Sequence, residues 1–435
     1  MRTWVVWIGL GLGLVGLLQS PAAAIPLFAR IYDKPCGTCH TVFPQLNPEG
    51  ENFRAHGLHG LRPAIKPLNV GPYFDVPGTL PLAVYIIGGE DFSHVSAPGQ
   101  ADSTRANLDL DYFKLLAGGE IGRHLAFLAD YELLETEPDT GATQINTLPH
   151  QAYIVAHAEP WGWLGNLKGG WYELPLTVSP DIHRLSAHPY LIYGLSACAL
   201  LDVASPHGSC DDTARLGDPQ IGMDLGAVQP ARGVSWNVGV TTGSNNRLDT
   251  SASPDLYLHL SQALGLHRLG FFVFYAPDLV GGGVHDRTLR LGPDMDFYTR
   301  QLRVLGQFLA AQESNPTGHR QDLWYWGGFL EADYRWTPAL LSLLRLDSAW
   351  MPRFDDTAHG GDTQVRRRIW EATAGCQWSI WDDLKLAAEV TYGENHEAVS
   401  DQTTQTWTGT VRLITAFWPF APPGFDGSLK RESGS

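Results

Sequence analysis

Residues 323–336 read LWYWGGFLEADYRW. Trp324, Trp326, Leu330, Tyr334 and Trp336 fall on one face of an extended chain, and Glu331, Asp333 and Arg335 on the other. A period of two with one apolar face is the signature of a β-strand with two different environments. Large aromatics near both ends of the apolar face fit the interfacial girdles of a strand that crosses a membrane. The pattern recurs. In 234–242, VSWNVGVTT, Val234, Trp236, Val238 and Val240 oppose Ser235, Asn237, Gly239 and Thr241. In 383–392, DLKLAAEVTY, Leu384, Leu386, Ala388, Val390 and Tyr392 oppose Lys385, Glu389 and Thr391.

Extending this reading gives about sixteen strands, at 79–88, 106–118, 121–134, 149–158, 164–175, 218–228, 232–242, 255–264, 267–276, 284–292, 295–310, 322–336, 339–350, 366–380, 383–393 and 405–418. A water-soluble sandwich or propeller would alternate in the same way, so the connections have to discriminate. Short turns (GEI, PARG, LG, GPD, TP, WD) alternate with long connections such as 89–105, 176–217 and 351–365. Alternating short periplasmic turns and long external loops are what an even-stranded outer-membrane barrel requires. The fold class is therefore all-β and transmembrane, an antiparallel barrel with both ends of the chain on the periplasmic side. The loop 176–217 is long enough to fold into the lumen as a constriction.

Composition agrees. The chain carries 47 Gly, 15 Trp, 15 Tyr and 17 Phe, its charged fraction is 17% and its mean hydropathy is −0.13. No later segment is apolar for long enough to span as a helix, which leaves a barrel as the route across a bilayer. A net charge of −16 argues against nucleic acid as partner and suits cations. The first residues, MRTWVVWIGLGLGLVGLLQSPAAA, pair a basic start and an apolar core with an A-x-A site at Ala22 and Ala24, as in a secretory signal peptide cut after Ala24. The expected organisation is a signal peptide over 1–24, a cofactor segment over 25–75, the barrel over 76–420 and a tail over 421–435.

Five cysteines enter an oxidising compartment. Cys198 and Cys210, in the long loop, are expected to form a disulfide. Cys376 shares the apolar face of its strand with Trp370 and Trp378 and is read as a lipid-facing thiol. Cys36 and Cys39 stand with His40 in the spacing C-x-x-C-H. Two thiols so spaced add across the vinyl groups of a haem, and the adjacent imidazole becomes the proximal iron ligand. A thioredoxin-like redox pair would need a βαβ context, which is absent. One covalent c-type haem is the expected cofactor.

A self-contained small cytochrome needs more chain than this, and after Met1 the next methionine is Met223. The segment must therefore borrow the barrel wall to bury its cofactor, as a small α-helical plug in the lumen. Candidate distal ligands are His56, on a helix expected to start near Pro48, then His59, and His124 and His259 on the polar faces of their strands. His56 is the first choice. Met223 is read as lipid-facing, Met295 at a periplasmic turn and Met351 in an external loop.

Residues 26–54, PLFARIYDKPCGTCHTVFPQLNPEGENFR, resemble the N-terminus of the fused monohaem cytochrome–porins, the outer-membrane iron oxidases of iron-oxidising bacteria. The matching positions are Pro26, Phe28, Ala29, Arg30, Cys36, Cys39, His40, Phe43, Pro44, Leu46, Gly50, Phe53 and Arg54. The chain departs from that family at His56 and His59. The resemblance implies electron uptake from an external donor such as Fe(II) through one haem, with a periplasmic cytochrome or copper carrier as acceptor and outer-membrane lipid as surroundings. Two other readings share the same parts: a porin channel with a structural haem plug, and a conduit running outward. Lumenal Asp109, Asp111, Asp130, Glu132, Glu331 and Asp333 are hard oxygen groups suited to drawing in hydrated divalent cations.

Covalent attachment is directly testable. Denatured protein is expected to keep peroxidase-type haem staining on a gel, and replacing both Cys36 and Cys39 by Ala should abolish it. Staining that survives the double substitution would remove the motif from the account.

Overall fold

The computed structural model describes residues 27–61, 68–71, 75–78, 81–136, 143–144, 149–159, 162–178, 183–196, 200, 215–242, 253–280, 284–314, 322–356, 363–381, 384–397 and 402–417. The signal sequence, the tail and both Cys198 and Cys210 lie outside them.

Sixteen antiparallel strands close into a barrel. They are β1 (Leu82–Ser96), β2 (Ser103–Ile121), β3 (Leu125–Thr136), β4 (Gln151–Ala158), β5 (Leu164–Tyr172), β6 (Gln220–Gln229), β7 (Val234–Thr241) and β8 (Asp255–Leu264). The second half comprises β9 (His267–Val280), β10 (Val284–Tyr298), β11 (Leu302–Glu313), β12 (Leu323–Arg335), β13 (Leu340–Asp356), β14 (Thr363–Trp381), β15 (Leu384–Glu397) and β16 (Gln402–Phe417). β16 pairs with β1, Phe417 opposite Val84 and Gln405 opposite Ser96, so no edge is left unpaired. A two-residue strand, Thr143–Gln144, pairs with the end of β3.

The expected turn at Gly292–Asp294 is not a turn. β10 runs through it to Tyr298, and the chain reverses at 299–301. The ladder to β11 steps from Leu291–Ala310 to Asp294–Gln307, skipping Pro293, which has no N–H to donate. Gly-Pro-Asp imitates turn chemistry, but neighbouring strands on both sides hold it extended. Met295 is consequently a mid-strand residue between lumenal Asp294 and Asp296, and Met351 is a buried residue of β13.

The wall is apolar outside and charged inside. Val238, Val240, Trp324, Leu330, Trp336, Val390 and Met223 are exposed on the outer surface, while Thr241, Glu331, Asp333, Lys385 and Thr391 are buried within. A bilayer offers no partners for charge, so this inversion is imposed by lipid. Cys376 is exposed on the outer face, between inward Gly375 and Gln377.

Two segments fill the lumen. The chain before β1 forms helices α1 (Leu27–Tyr32) and α2 (Pro48–Ala55), with a short hairpin of His40–Val42 and Gln45–Leu46 between them. Helix α2 starts where its sequence directs: Asn47 caps it by accepting the Gly50 N–H at 3.0 Å, Pro48 opens the first turn, and Glu49 and Glu51 follow. Helix α1 packs on β2, where a Cβ on Gly118 would lie 3.2 Å from the Phe28 ring.

The second segment is the loop between β5 and β6, which turns inward and carries α3 (Leu191–Gly194). Leu174, Tyr190, Ile192 and Tyr193 from the loop meet Phe272, Phe274, Leu305, Phe329 and Met351 from the wall. This is why 271–275, FFVFY, is apolar on both faces: Phe271 meets lipid and Phe272 meets the loop.

Arg345 on β13 anchors the loop. Its Nε donates to Asp347 at 2.6 Å, its Nη1 and Nη2 to the carbonyls of His188 and Pro189 at 2.9 and 3.1 Å, and its guanidinium stacks over Tyr190. Glu389 accepts from the Ser186 hydroxyl and the N–H groups of Ala187 and His188. Removing one partner of a buried ion pair strands the other charge. Arg345→Ala is therefore expected to destabilise the barrel by about 3–5 kcal/mol, read as an earlier loss of the folded-barrel gel shift on heating, and to raise single-channel conductance as the loop loosens. Unchanged stability and conductance would show that the loop does not depend on this side chain.

Candidate cofactor site

The C-x-x-C-H segment opens with a single turn of 3₁₀ helix, Cys36–Thr38, whose tightness brings the two thiols to one side. Neither cysteine is engaged in a disulfide. Both line a cavity between the N-terminal segment and the wall. One side is the aromatic cluster of Phe28, Tyr32 and Phe53, with Phe53 meeting the other two rings edge-on at 5.5 Å. The barrel contributes Tyr85, Leu116, Leu128 and Tyr153. Lys34 and Arg54 add positive charge suited to the carboxylates of a porphyrin.

His40 lies at the cavity with its Nδ1 3.0 Å from the Pro44 carbonyl oxygen. Nδ1 donates there, which leaves Nε2 available to a ligand; protein scaffolds orient metal-binding imidazoles in the same way. Burial pushes the His40 pKa down to about 4, so the ring is neutral and keeps its lone pair. The contact chain continues through Phe43, whose ring meets His40 at 5.2 Å and Tyr85 at 5.5 Å.

The barrel fixes this segment through its backbone. Lys385 donates to the Phe43 carbonyl at 2.5 Å, Arg303 and Tyr298 donate to the Leu46 carbonyl, and Gln45 donates to Asp333 at 2.6 Å. At the far end Asn166 donates to the Ala55 carbonyl at 2.7 Å. Thus β5, β10, β11, β12 and β15 all hold it in place.

The distal candidates scatter. His56 is the C-cap of α2 and is not among the residues lining the cavity. His59 bonds Glu120 at 2.8 Å and stacks on His157 with ring centroids 4.6 Å apart. His124 sits in the turn after β2, not on a lumenal face, and His259 is lumenal but held by Asp294 at 3.0 Å. The cavity wall does contain one imidazole that the sequence reading passed over: His183, from the inward loop. The only signal for it in sequence is its membership of a loop long enough to reach the lumen.

The lumenal carboxylates have different work from that expected. Asp130 and Glu132 pair with Lys114, Glu331 accepts from Tyr190, and Asp333 from Gln45. Asp111 pairs with Arg412, which also holds Asp91. They anchor lumenal segments and wall cations. Among the described residues no group of three or more His, Cys, Asp or Glu is arranged to hold a metal ion. Asp91, Asp109 and Asp111 do border a second cavity, which lies directly outward of the first and shares Pro44, Tyr85, Ile87 and Tyr112 with it.

A closed sixteen-strand barrel with an apolar belt and a filled lumen defines a porin-type outer-membrane protein. Solved structures agree on the fold. An anion-selective porin from Comamonas acidovorans superposes with a TM-score of 0.52 at 13% identity, over 77% of this chain and 99% of that one. The outer-membrane channel DcaP of Acinetobacter baumannii gives a TM-score of 0.52 at 10% identity, over 81% of this chain and 99% of that one. Such identities carry the fold alone. No family model and no curated protein matches the chain. The resemblance to cytochrome–porins therefore rests on residues 26–54 by themselves.

Gly50 tests the geometry. A Cβ there would lie 2.1 Å from the Cys39 carbonyl oxygen, backbone that cannot give way without moving the second thiol. Gly50→Ala is expected to lose most covalently stained haem per folded barrel, while the heat-dependent gel shift of the barrel is retained. Full staining in Gly50→Ala would refute this close packing as a requirement.

Proposed function

We propose that this protein is an outer-membrane electron-transfer barrel: a porin-type wall whose lumen holds one c-type haem on Cys36, Cys39 and His40. The observation that carries the proposal is the common cavity of the two thiols and the His40 ring, whose Nδ1 is already engaged by Pro44. A c-type haem supplies a carrier for one electron. The chain's residues do the rest. Cys36 and Cys39 tether, His40 ligates through Nε2, the Pro44 carbonyl fixes the tautomer, and the aromatic cluster with the barrel wall excludes water. Such burial raises a haem's potential by disfavouring its more charged ferric form.

Fe(II) is the donor best matched to this arrangement. It gives one electron, and its oxidised product is poorly soluble at neutral pH, so a barrel that passes the electron while leaving the iron outside keeps oxide out of the periplasm. The outward cavity, where Asp109 joins the Asp91–Arg412–Asp111 group, would be the side from which a donor approaches, and a periplasmic cytochrome or copper protein would take the electron from the short-turn end. The porin likeness supports a second reading, a channel in which the haem segment is a structural plug.

The two readings part in stopped flow. For the electron-transfer reading, ferric protein mixed with Fe(II) is expected to be reduced rapidly at the haem bands, with no such signal in His40→Ala, and planar-bilayer conductance is expected to be low. A haem potential far below that of the iron couple excludes Fe(II) as donor, and large conductance with no reduction favours the plugged channel.

A further inference from the structure

The inward loop divides the lumen into two cavities. Arg184, Leu185, Ser186, Ala187 and Pro189 line the outward one, whereas His183 lines the inner one together with Cys36, Cys39 and His40. The loop is firmly placed there. Gln377 donates to the Leu185 carbonyl at 2.6 Å, Glu389 accepts from Ser186, Ala187 and His188, and Arg345 holds the carbonyls of His188 and Pro189. His183 is thus carried on a fixed partition.

Its chemistry is that of a ligand awaiting a partner. The Nδ1 of His183 is buried and has no hydrogen-bond partner, which is unfavourable unless some group meets it. The ring interacts electrostatically with His40 and with Glu51 and Arg54 of α2. The other nitrogen bases on the cavity wall are less suited. Lys114 is paired with Asp130 and Glu132, and Arg54 with Glu51. No methionine lines the cavity.

We propose that His183 is the distal axial ligand of the haem, so that the lumenal loop and the N-terminal segment clamp the iron between two imidazoles. This rests on the haem reading above. It also gives the loop a function beyond narrowing the lumen. Residues 183–189 become the direct covalent link between the iron and the outward cavity that Asp91, Asp109 and Asp111 border.

The test is spectroscopic and does not depend on turnover. Purified full-length ferric protein is expected to show six-coordinate low-spin haem with bis-imidazole electron paramagnetic resonance features. His183→Ala is expected to shift to high-spin, keep its covalent haem stain and barrel gel shift, and return to low-spin on adding imidazole. His56→Ala, altered outside the cavity, should keep the wild-type spectrum. High-spin wild-type haem overturns the assignment without any variant, as does a His183→Ala protein that stays low-spin before imidazole is added. Wild-type protein with no covalent haem overturns the haem reading itself, so the two failures are distinguishable.

Discussion

Lipid on the outside of a barrel leaves charged side chains one place to go, and the lumen must then satisfy them. In this protein the satisfying groups include main-chain carbonyls of inserted segments as well as neighbouring side chains of the wall. Arg345 is met by the carbonyls of His188 and Pro189, Arg303 by that of Leu46, and Lys385 by that of Phe43. Carboxylates of the wall meet the N–H and hydroxyl groups of the same segments, as Glu389 does for Ser186, Ala187 and His188. Wall and filling are therefore one folded unit.

That exchange explains how so short a segment is held in place and can form one side of a cavity. Residues 27–61 contain two helices and a hairpin, too little chain to enclose a large ligand. The barrel supplies the missing shell through Tyr85, Leu116, Leu128 and Tyr153, and it fixes the segment at five strands. It also explains the modest free charge of the lumen. The acidic residues of the strands are matched by Lys114, Arg303, Arg345 and Arg412, so the overall −16 charge is not concentrated beside the cofactor cavity. The remaining acidic bias lies one cavity further out, where Asp109 joins the Asp91–Arg412–Asp111 group.

The lumen is closed in two tiers. The N-terminal segment occupies the end with the short turns and the chain termini, and the β5–β6 loop lies outward of it. The boundary runs between His183 and Arg184, two adjacent residues facing different cavities. Each tier is held by buried polar contacts with the wall.

Sequence alone determined whatever is set by near neighbours along the chain. Alternation in 234–242, 323–336 and 383–392 gave each strand its lipid face, because side chains two apart share a face in any extended strand. Loop parity required an even strand count, Asn47 and Pro48 started α2, and C-x-x-C-H brought two thiols and an imidazole within reach of one ligand. Tertiary structure decided what depends on distant partners. Gly292-Pro293-Asp294 reads locally as a turn, yet pairing on both sides keeps it in β10. Asp111 and Asp333 read as lures for cations, yet their partners come from Arg412 and Gln45, hundreds of residues away. His56 is the nearest imidazole in sequence and caps α2 without lining the cavity, whereas His183 reaches it because a long loop folds back inside a closed wall. Periodicity carries the first kind of information along the chain, while barrel closure creates the second.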